Sequence, residues 1–444
     1  MKKSFFQIVC TLAYMLFPIL GYTQEKKSFS LQEAIDYALK NNTSVKNASL
    51  DIQEAKWKKW ETIATGLPQI DGKIEYTNNV ILPDEFSQAA PSEDGGPNLL
   101  SFLFPKQQMK PSVTVTQLIF DGTYIVGLQS AKVFLEISKN AKIKTDKEIT
   151  KTITSAYGNV LLNTESLLII NNNIKNIEDT LKESQKLFDN GLAEEEDLEQ
   201  LKITLNDLKN NKVRLEQYLD FSKGLLKMLM GLEESATLEI SDSLEDLSEN
   251  TLELKGFGDN FSVFQNIDYQ ISLNNVESNR LLYKAEQARR LPSLAGFFNL
   301  GSQGFAQEFG DFHSNQWYTT GAIGVSLDIP IFTSFQGTAK RKQAKLNWEQ
   351  AENELEEAKI KIGLDIKNAK ADFQLAKNTL INKKDNLNLA ERIEKKNNVK
   401  YKEGVATSFE LRQAQMQLYT SQSEYLQAMV EVINKKAELQ SLTK

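Results

Sequence analysis

Two acidic positions recur in this chain at one fixed offset. Asp197 follows Gly191 by six residues, Glu410 follows Gly404 by six, and the two glycines lie 213 positions apart. Around them Phe188-Asp189-Asn190-Gly191-Leu192-Ala193 recurs as Tyr401-Lys402-Glu403-Gly404-Val405-Ala406, and Asp197-Leu198 with Gln200 recurs as Glu410-Leu411 with Gln413. Repeated carboxylates can gather cations. They can equally occupy the first turn of a helix and offset its dipole, a role that also suits Glu194, Glu195 and Glu196. Other chemistry finds little support. His313 is the sole histidine and Cys10 the sole cysteine, which assembles neither a zinc site nor a nucleophilic triad. Gly256-Phe257-Gly258 lacks the spacing of a phosphate loop. No catalytic constellation, metal site or cofactor is therefore expected.

The duplication extends upstream. Leu67-Pro68-Gln69-Ile70 recurs as Leu291-Pro292-Ser293-Leu294, and the same offset pairs Asn42 with Asn266. A repeat of this size predicts two structural halves of one wall. The expected organisation is a leader at 1–24, a first repeat at 25–235, an acidic linker at 236–260 and a second repeat at 261–444. The leader reading rests on Lys2 and Lys3, the apolar run from Phe5 to Leu20, and the small and polar residues Gly21 to Gln24, with cleavage near Thr23 or Gln24. Cys10 would leave with it, giving a thiol-free chain that suits an oxidising compartment. Loss of Lys2 and Lys3 takes the formal charge from −7 to −9, which argues against nucleic acid as a partner. No later stretch approaches the roughly 18 apolar residues of a membrane-spanning helix. Membrane entry would have to be by strands closed into a barrel.

The elements that must position the acids are long helices. From Ile149 apolar positions step by four and three through Ile153, Ala156, Val160, Leu167, Ile170, Ile174, Ile177 and Leu181 to Phe188, broken only by Asn163 and Ser184. The second copy keeps that phase from Ile362 to Tyr401, with Lys383, Glu394 and Asn397 as polar interruptions. These are coiled-coil seams. Of the polar breaks, Asn163, Lys383 and Glu394 are read as lumen-facing in preference to register-setting. New seams begin at Leu198 and Leu411, so each glycine should cap one helix of an antiparallel hairpin. A single helix is expected over Leu31 to Ala64, a long one of about 100 Å from Thr123 to Asn190, and another from Ala193 to Met230.

Strand signals lie between the first helix of each copy and its hairpin. Ile70, Ile74 and Tyr76 alternate with Asp71, Lys73 and Glu75, while Val113 and Val115 alternate with Thr114 and Thr116. The second copy offers Leu294 to Leu300, then Ile323, Val325, Leu327 and Ile329 against Gly324, Ser326 and Asp328. Each run is about the ten residues of a tilted membrane strand. The loop in the first copy is longer and carries the Pro/Gly/Ser-rich stretch Pro83 to Pro111, expected at an exposed tip. Four strands cannot close a barrel, for which about eight is the practical minimum. Three copies would supply twelve strands and an open bore, continued by helices into a hollow cylinder.

The residues resemble the TolC-like outer-membrane efflux family across nearly the whole chain after the leader. The resemblance is carried by Ser30-Leu31-Gln32-Glu33-Ala34-Ile35 with Ala38-Leu39 and Asn41-Asn42, by Leu-Pro at 67 and 291, and by Gln117-Leu118-Ile119-Phe120-Asp121-Gly122 with its partner Ile329-Pro330-Ile331-Phe332. The hairpin motif of glycine, five residues, an acid and leucine occurs in both copies. It implies a mainly α chain contributing four strands to a trimeric twelve-stranded barrel in the outer-membrane lipid, continued by a coiled-coil tunnel through the periplasm. It also implies a homotrimer, a periplasmic adaptor protein and an inner-membrane transporter as partners. The implied adaptor contacts are the hairpin tips Gly191, Leu192, Ala193, Gly404, Val405 and Ala406, and the implied constriction is Asp197, Glu410 and Gln413. Glutamine at 413, and Gln200 in the first copy, stand where a second acid is often found, so the acidic ring is weaker here. The alternative is a secreted coiled-coil tether without channel activity.

Overall fold

The computed structural model of the chain describes residues 27–81, 105–191, 193–252, 262–306 and 308–443. The expected leader, Cys10, Leu192 and Gly256-Phe257-Gly258 lie outside them. In chain order the elements are β1 (Lys27–Phe29), α1 (Leu31–Asn41), α2 (Thr43–Ala64), β2 (Gln69–Asn78), β3 (Gln107–Phe120), α3 (Gly122–Asp189) and α4 (Glu195–Met230). They continue as β4 (Leu238–Ile240), α5 (Leu244–Leu252), α6 (Ile267–Ala288), β5 (Ser293–Ala306), β6 (Trp317–Asp328), α7 (Gln336–Lys402) and α8 (Ser408–Thr443). Lengths recur with order: α2 and α6 each have 22 residues, α3 and α7 have 68 and 67, and α4 and α8 each have 36.

Local chemistry explains the boundaries. Ser30 opens α1 with a capping box, in which the Glu33 carboxylate accepts from the Ser30 N–H at 2.8 Å while the Ser30 hydroxyl accepts from the Glu33 N–H. The single helix expected over Leu31 to Ala64 is broken at Asn42. There the backbone turns extended, the Asn42 Oδ1 accepts from the Ser44 and Val45 N–H groups, and its Nδ2 donates to the Leu229 carbonyl at 2.7 Å. Asn266 heads α6 in the same way, accepting from Asp268 and Tyr269. The asparagine pair matched by the repeat is thus a pair of N-caps.

Two further expectations change. The interval read as an acidic linker contains β4, which pairs in parallel with β1, and α5, whose Leu244 is fully buried. Sequence alone could not find β4, because a three-residue strand shows no periodicity. The stretch assigned to an exposed tip is strand at its end, since Gln107 to Pro111 pair with Asn78 to Ile74 of β2. The remaining strands fall where alternation placed them, as one antiparallel sheet in the order β2-β3-β5-β6.

The chain divides into two compact units. One comprises residues up to Lys46, Thr145–Asn260 and Ile366–Lys444. Its core lies along the predicted seams: Ile153, Val160, Ile170 and Ile177 of α3, Ala369 and Phe373 of α7, Leu198 to Leu208 of α4, and Leu411 and Val432 of α8 are all buried. Tyr157 sits among them fully buried, its hydroxyl donating to the Phe29 carbonyl at 2.9 Å and to the Asp242 carboxylate at 3.0 Å. Burial first, and Asp242 second, push its ionisation upward. That pair fastens the β1/β4 ribbon to α3. The other unit comprises Asn47–Lys144 and Phe261–Asp365 and holds the four-stranded sheet. Its helical segments lie in the same order as the strands they join. Tyr124 of α3 donates to the Ile63 carbonyl of α2, Leu281 and Ala288 of α6 pack with Val126 of α3, and Tyr283 of α6 stacks on Trp348 of α7 at 5.9 Å.

Candidate functional site

Two separate regions carry candidate functional features, the hairpin tips in one unit and the sheet in the other. At the tips Gly191 and Gly404 adopt the left-handed conformation, φ +74° and +73°, in open space. That backbone closes each long helix, with Val405 and Ala406 both donating to the Lys400 carbonyl. Ala193 is half-buried, and Val405 is exposed.

The three candidate constriction residues do not share one environment. Glu410 is exposed and already engaged: its carboxylate accepts from the Thr407 N–H at 2.9 Å and the Thr407 hydroxyl at 3.2 Å, and its own N–H donates to that hydroxyl. This is a capping box at the head of α8. Asp197 holds the same position on α4, but Glu194 replaces the threonine and makes no side-chain cap bond. Asp197 is half-buried, and its charge adds to the burial that raises the Tyr401 phenol above its ordinary range. Gln413 is exposed.

A hydrogen-bonded contact between the two repeats sits beside Asp197. The Ser184 and Tyr401 hydroxyls are 2.9 Å apart and buried, and Lys402 pairs with Glu183 at 3.0 Å. In the heptad pattern Ser184 is a break in the first seam and Tyr401 a member of the second. The repeat hides their bond, because position 184 recurs as Asn397 and Tyr401 stands where the first copy has Phe188. Two of the seam breaks read as lumen-facing are partnered within the chain. Asn163 donates to Ser222 at 3.3 Å, and Lys383 meets Glu424 at 2.8 Å. Glu394 is half-buried, and desolvation raises its pKa.

The sheet has two chemically opposed faces, because residues paired across antiparallel strands share a face. One rung is Ile70–Val115–Phe298–Ile323, and the next on that face is Gly72–Val113–Leu300–Gly321. The rung between them, on the opposite face, is Asp71–Thr114–Asn299–Ala322, with the Asn299 amide donating to the Thr114 hydroxyl at 2.7 Å. The apolar face is bare: Ile70, Ile74, Ile323 and Val325 are 70% exposed or more. Phe297 departs from the pattern on the polar face. It lies over Gly324, where a Cβ would come within 2.7 Å of its ring.

Aromatic residues gather at both ends of the strands. Tyr76, Phe309, Phe312 and Trp317 pack edge to face or tilted at one end, with the Trp317 indole donating to the Phe312 carbonyl. His313 lies in the short 3-10 turn beside them. At the other end Phe332 and Phe335 meet at 5.9 Å and are largely exposed. Among the described residues, no helix is long and apolar enough to cross a membrane, and no group of three His, Cys, Asp or Glu is placed to hold a metal ion.

Residues 270–443 match the model of the outer membrane efflux protein family. A 207-residue stretch is 21% identical to the proteases secretion protein PrtF of Dickeya chrysanthemi, covering 45% of this chain and 43% of that one. The chain thus spans less than half the length of that relative. Among solved structures it is similar to the outer membrane protein VceC of Vibrio cholerae, with a TM-score of 0.73 at 15% identity over 93% of this chain and 96% of that chain. It is similar to the CmeC outer membrane channel of Campylobacter jejuni, with 0.75 at 17% over 93% and 85%, and to the open-state MtrE outer membrane channel of Neisseria gonorrhoeae, with 0.72 at 16% over 93% and 88%. At these identities the likeness is one of fold, and it covers both repeats.

Proposed function

We propose that this chain, whose second repeat matches the outer membrane efflux protein family and whose fold is that of outer-membrane channels, is one protomer of an outer-membrane conduit. Three copies close a twelve-stranded barrel, and the helices continue it through the periplasm. The observation that carries this reading is the two-faced sheet. An apolar row of Ile70, Val115, Phe298 and Ile323 running across four strands, with Ile70, Phe298 and Ile323 exposed, is costly in water and matched to lipid, and the Asp71, Thr114 and Asn299 row suits a water-filled bore. Aromatic clusters bracket the strands as the residues of the two membrane interfaces do. A soluble tether would have no use for the bare apolar face.

In this reading the chain carries out no catalytic step; it passes what an inner-membrane transporter delivers through a periplasmic adaptor. The hairpin tips at Gly191, Leu192, Ala193, Gly404, Val405 and Ala406 meet the adaptor, and Asp197, Glu410 and Gln413 line the periplasmic mouth. The exposure of Val405, Glu410 and Gln413 supports those placements. Ile323→Lys puts a charge mid-strand on the lipid face, where it costs about 2–4 kcal/mol, whereas Ala322→Lys faces the bore. Heat-modifiable trimers in the outer-membrane fraction should fall sharply for Ile323→Lys and persist for Ala322→Lys. Equal recovery of the two variants would assign the faces wrongly and remove the main support for a conduit.

A further inference from the structure

The connection from β6 to α7 has features that neither helix stability nor the internal repeat explains. The apolar row Ile323, Val325 and Leu327 runs on past the strand into Ile329, Ile331, Phe332 and Phe335, all exposed, the last three at 73% or more. Ser334 and Phe335 hold φ of +48° and +62°, the left-handed region that a bulky side chain adopts at a cost. A turn facing water would favour glycine or asparagine there. Here the backbone instead leaves an exposed edge-to-face pair of phenyl rings, Phe332 and Phe335.

Cations without acids follow the rings. From Ile329 to Trp348 the chain has no Asp or Glu and carries Lys340, Arg341, Lys342 and Lys345. Arg341 and Lys345 are four apart and Lys342 and Lys345 three apart, spacings at which like charges on a helix repel. The repeat does not supply them either. The offset of 213 that carries Gly191 to Gly404 sets Gly127, Leu128 and Gln129 opposite Lys340, Arg341 and Lys342. Among the described residues Lys345 alone of the four has an acid partner, Glu349 at 3.1 Å. Arg290, just before β5 at the same end of the sheet, is exposed as well. The acids of this end are engaged or turned away: Asp121 caps α3, Glu286 pairs with Arg289 at 2.8 Å, and Asp328 lies on the polar face. Depth agrees too. Lys340 to Lys342 lie four to six residues into α7, about 6–9 Å along its axis, and the headgroup layer beside a hydrocarbon core is roughly 5–7 Å thick.

We infer that this helix-joined end of the sheet is a binding collar for anionic phospholipid headgroups. Ile331, Phe332 and Phe335 enter the edge of the hydrocarbon, and Lys340, Arg341, Lys342 and Arg290 meet lipid phosphate in the adjoining layer. The occupant is lipid because the patch continues the apolar face of the sheet without a break, and the lipid is anionic because the uncompensated charge is all of one sign. An acidic protein would match the cations and leave the rings in water. The collar rests on the conduit reading for the membrane itself and goes beyond it in naming the headgroup and the residues that select it.

The test reconstitutes the full chain in phosphatidylcholine bilayers with a trace of spin-labelled phosphatidylglycerol or spin-labelled phosphatidylcholine. Lipid immobilised by the protein should be enriched in phosphatidylglycerol by about threefold or more at low salt, and by less at high salt. Lys340→Gln, Arg341→Gln and Lys342→Gln together should bring that ratio close to one, with helical signal and trimer recovery unchanged. Lys395→Gln, Lys396→Gln and Lys400→Gln, which remove the same charge near the C-terminus of α7, should keep it. Equal retention of the two lipids by the unsubstituted chain, an unchanged ratio in the first variant, or equal loss in both variants would each overturn the collar. Competition by inorganic phosphate beyond that of sodium chloride at equal ionic strength would overturn it as well, by making free phosphate the ligand. Immobilised lipid without headgroup preference sinks the collar alone, whereas no immobilised lipid of either kind sinks the conduit with it.

Discussion

Glu410 shows why an acid at a conspicuous position is a poor guide by itself. Its carboxylate closes a capping box on Thr407, so helix geometry alone accounts for a glutamate there. Asp197, its partner in the repeat, has no such duty and sits beside Tyr401. In a trimer these positions supply six carboxylates. If they line one mouth, they concentrate cations within about a Debye length, near 10 Å at 0.1 M salt. Asp197→Asn with Glu410→Gln should therefore lower cation preference in single-channel recordings, leave trimer yield unchanged, and have less effect at high salt. Unchanged reversal potentials across a salt gradient would place both acids outside the water path. The glycines and acids were legible because both copies carry them. The Ser184–Tyr401 bond was not, because neither residue has a like counterpart 213 positions away.

At the scale of elements, periodicity located what it could. The seams through Ile153, Ile170 and Ile177 are buried as their spacing requires, since a stripe held over many heptads has only one way to pack. The break at Asn42 escaped because the residues on both sides keep helical patterning, and a buried asparagine bonded to Leu229 decides it. The β1/β4 ribbon escaped because three residues carry no period. The seam assignment has a direct consequence. Ile170 is 4% exposed within a cluster with Leu201, Leu205 and Leu208, so Ile170→Asp buries an unpaired carboxylate at a cost of several kcal/mol. Glu178 lies off the seam in an exposed pair with Lys209 at 3.0 Å, of the kind worth about 0–1 kcal/mol. Denaturant titration followed by helical signal should show a large loss for Ile170→Asp and almost none for Glu178→Ala. Comparable losses would mean that the register is misplaced.

For the molecule as a whole, the proposal of three copies rests on what a single chain leaves unfinished. Its sheet ends in two unpaired edges, β2 and β6, and its apolar face is bare, a combination that in water invites aggregation and in lipid requires closure. The sequence already implied this through its four strand runs and its lack of a spanning helix, but the opposed faces needed the register, because alternation in one strand does not say which side aligns with the next. Closure of four strands is impossible, eight fill with side chains, and twelve leave a bore. The full chain should therefore fractionate with the outer membrane, resist alkaline extraction, and migrate as a trimer before heating and as a monomer after. Vesicles containing it should pass small hydrophilic solutes only when the trimer survives. A soluble, elongated dimer from the same preparation would leave the bare isoleucine row without lipid to cover it and would restore the tether as the better account.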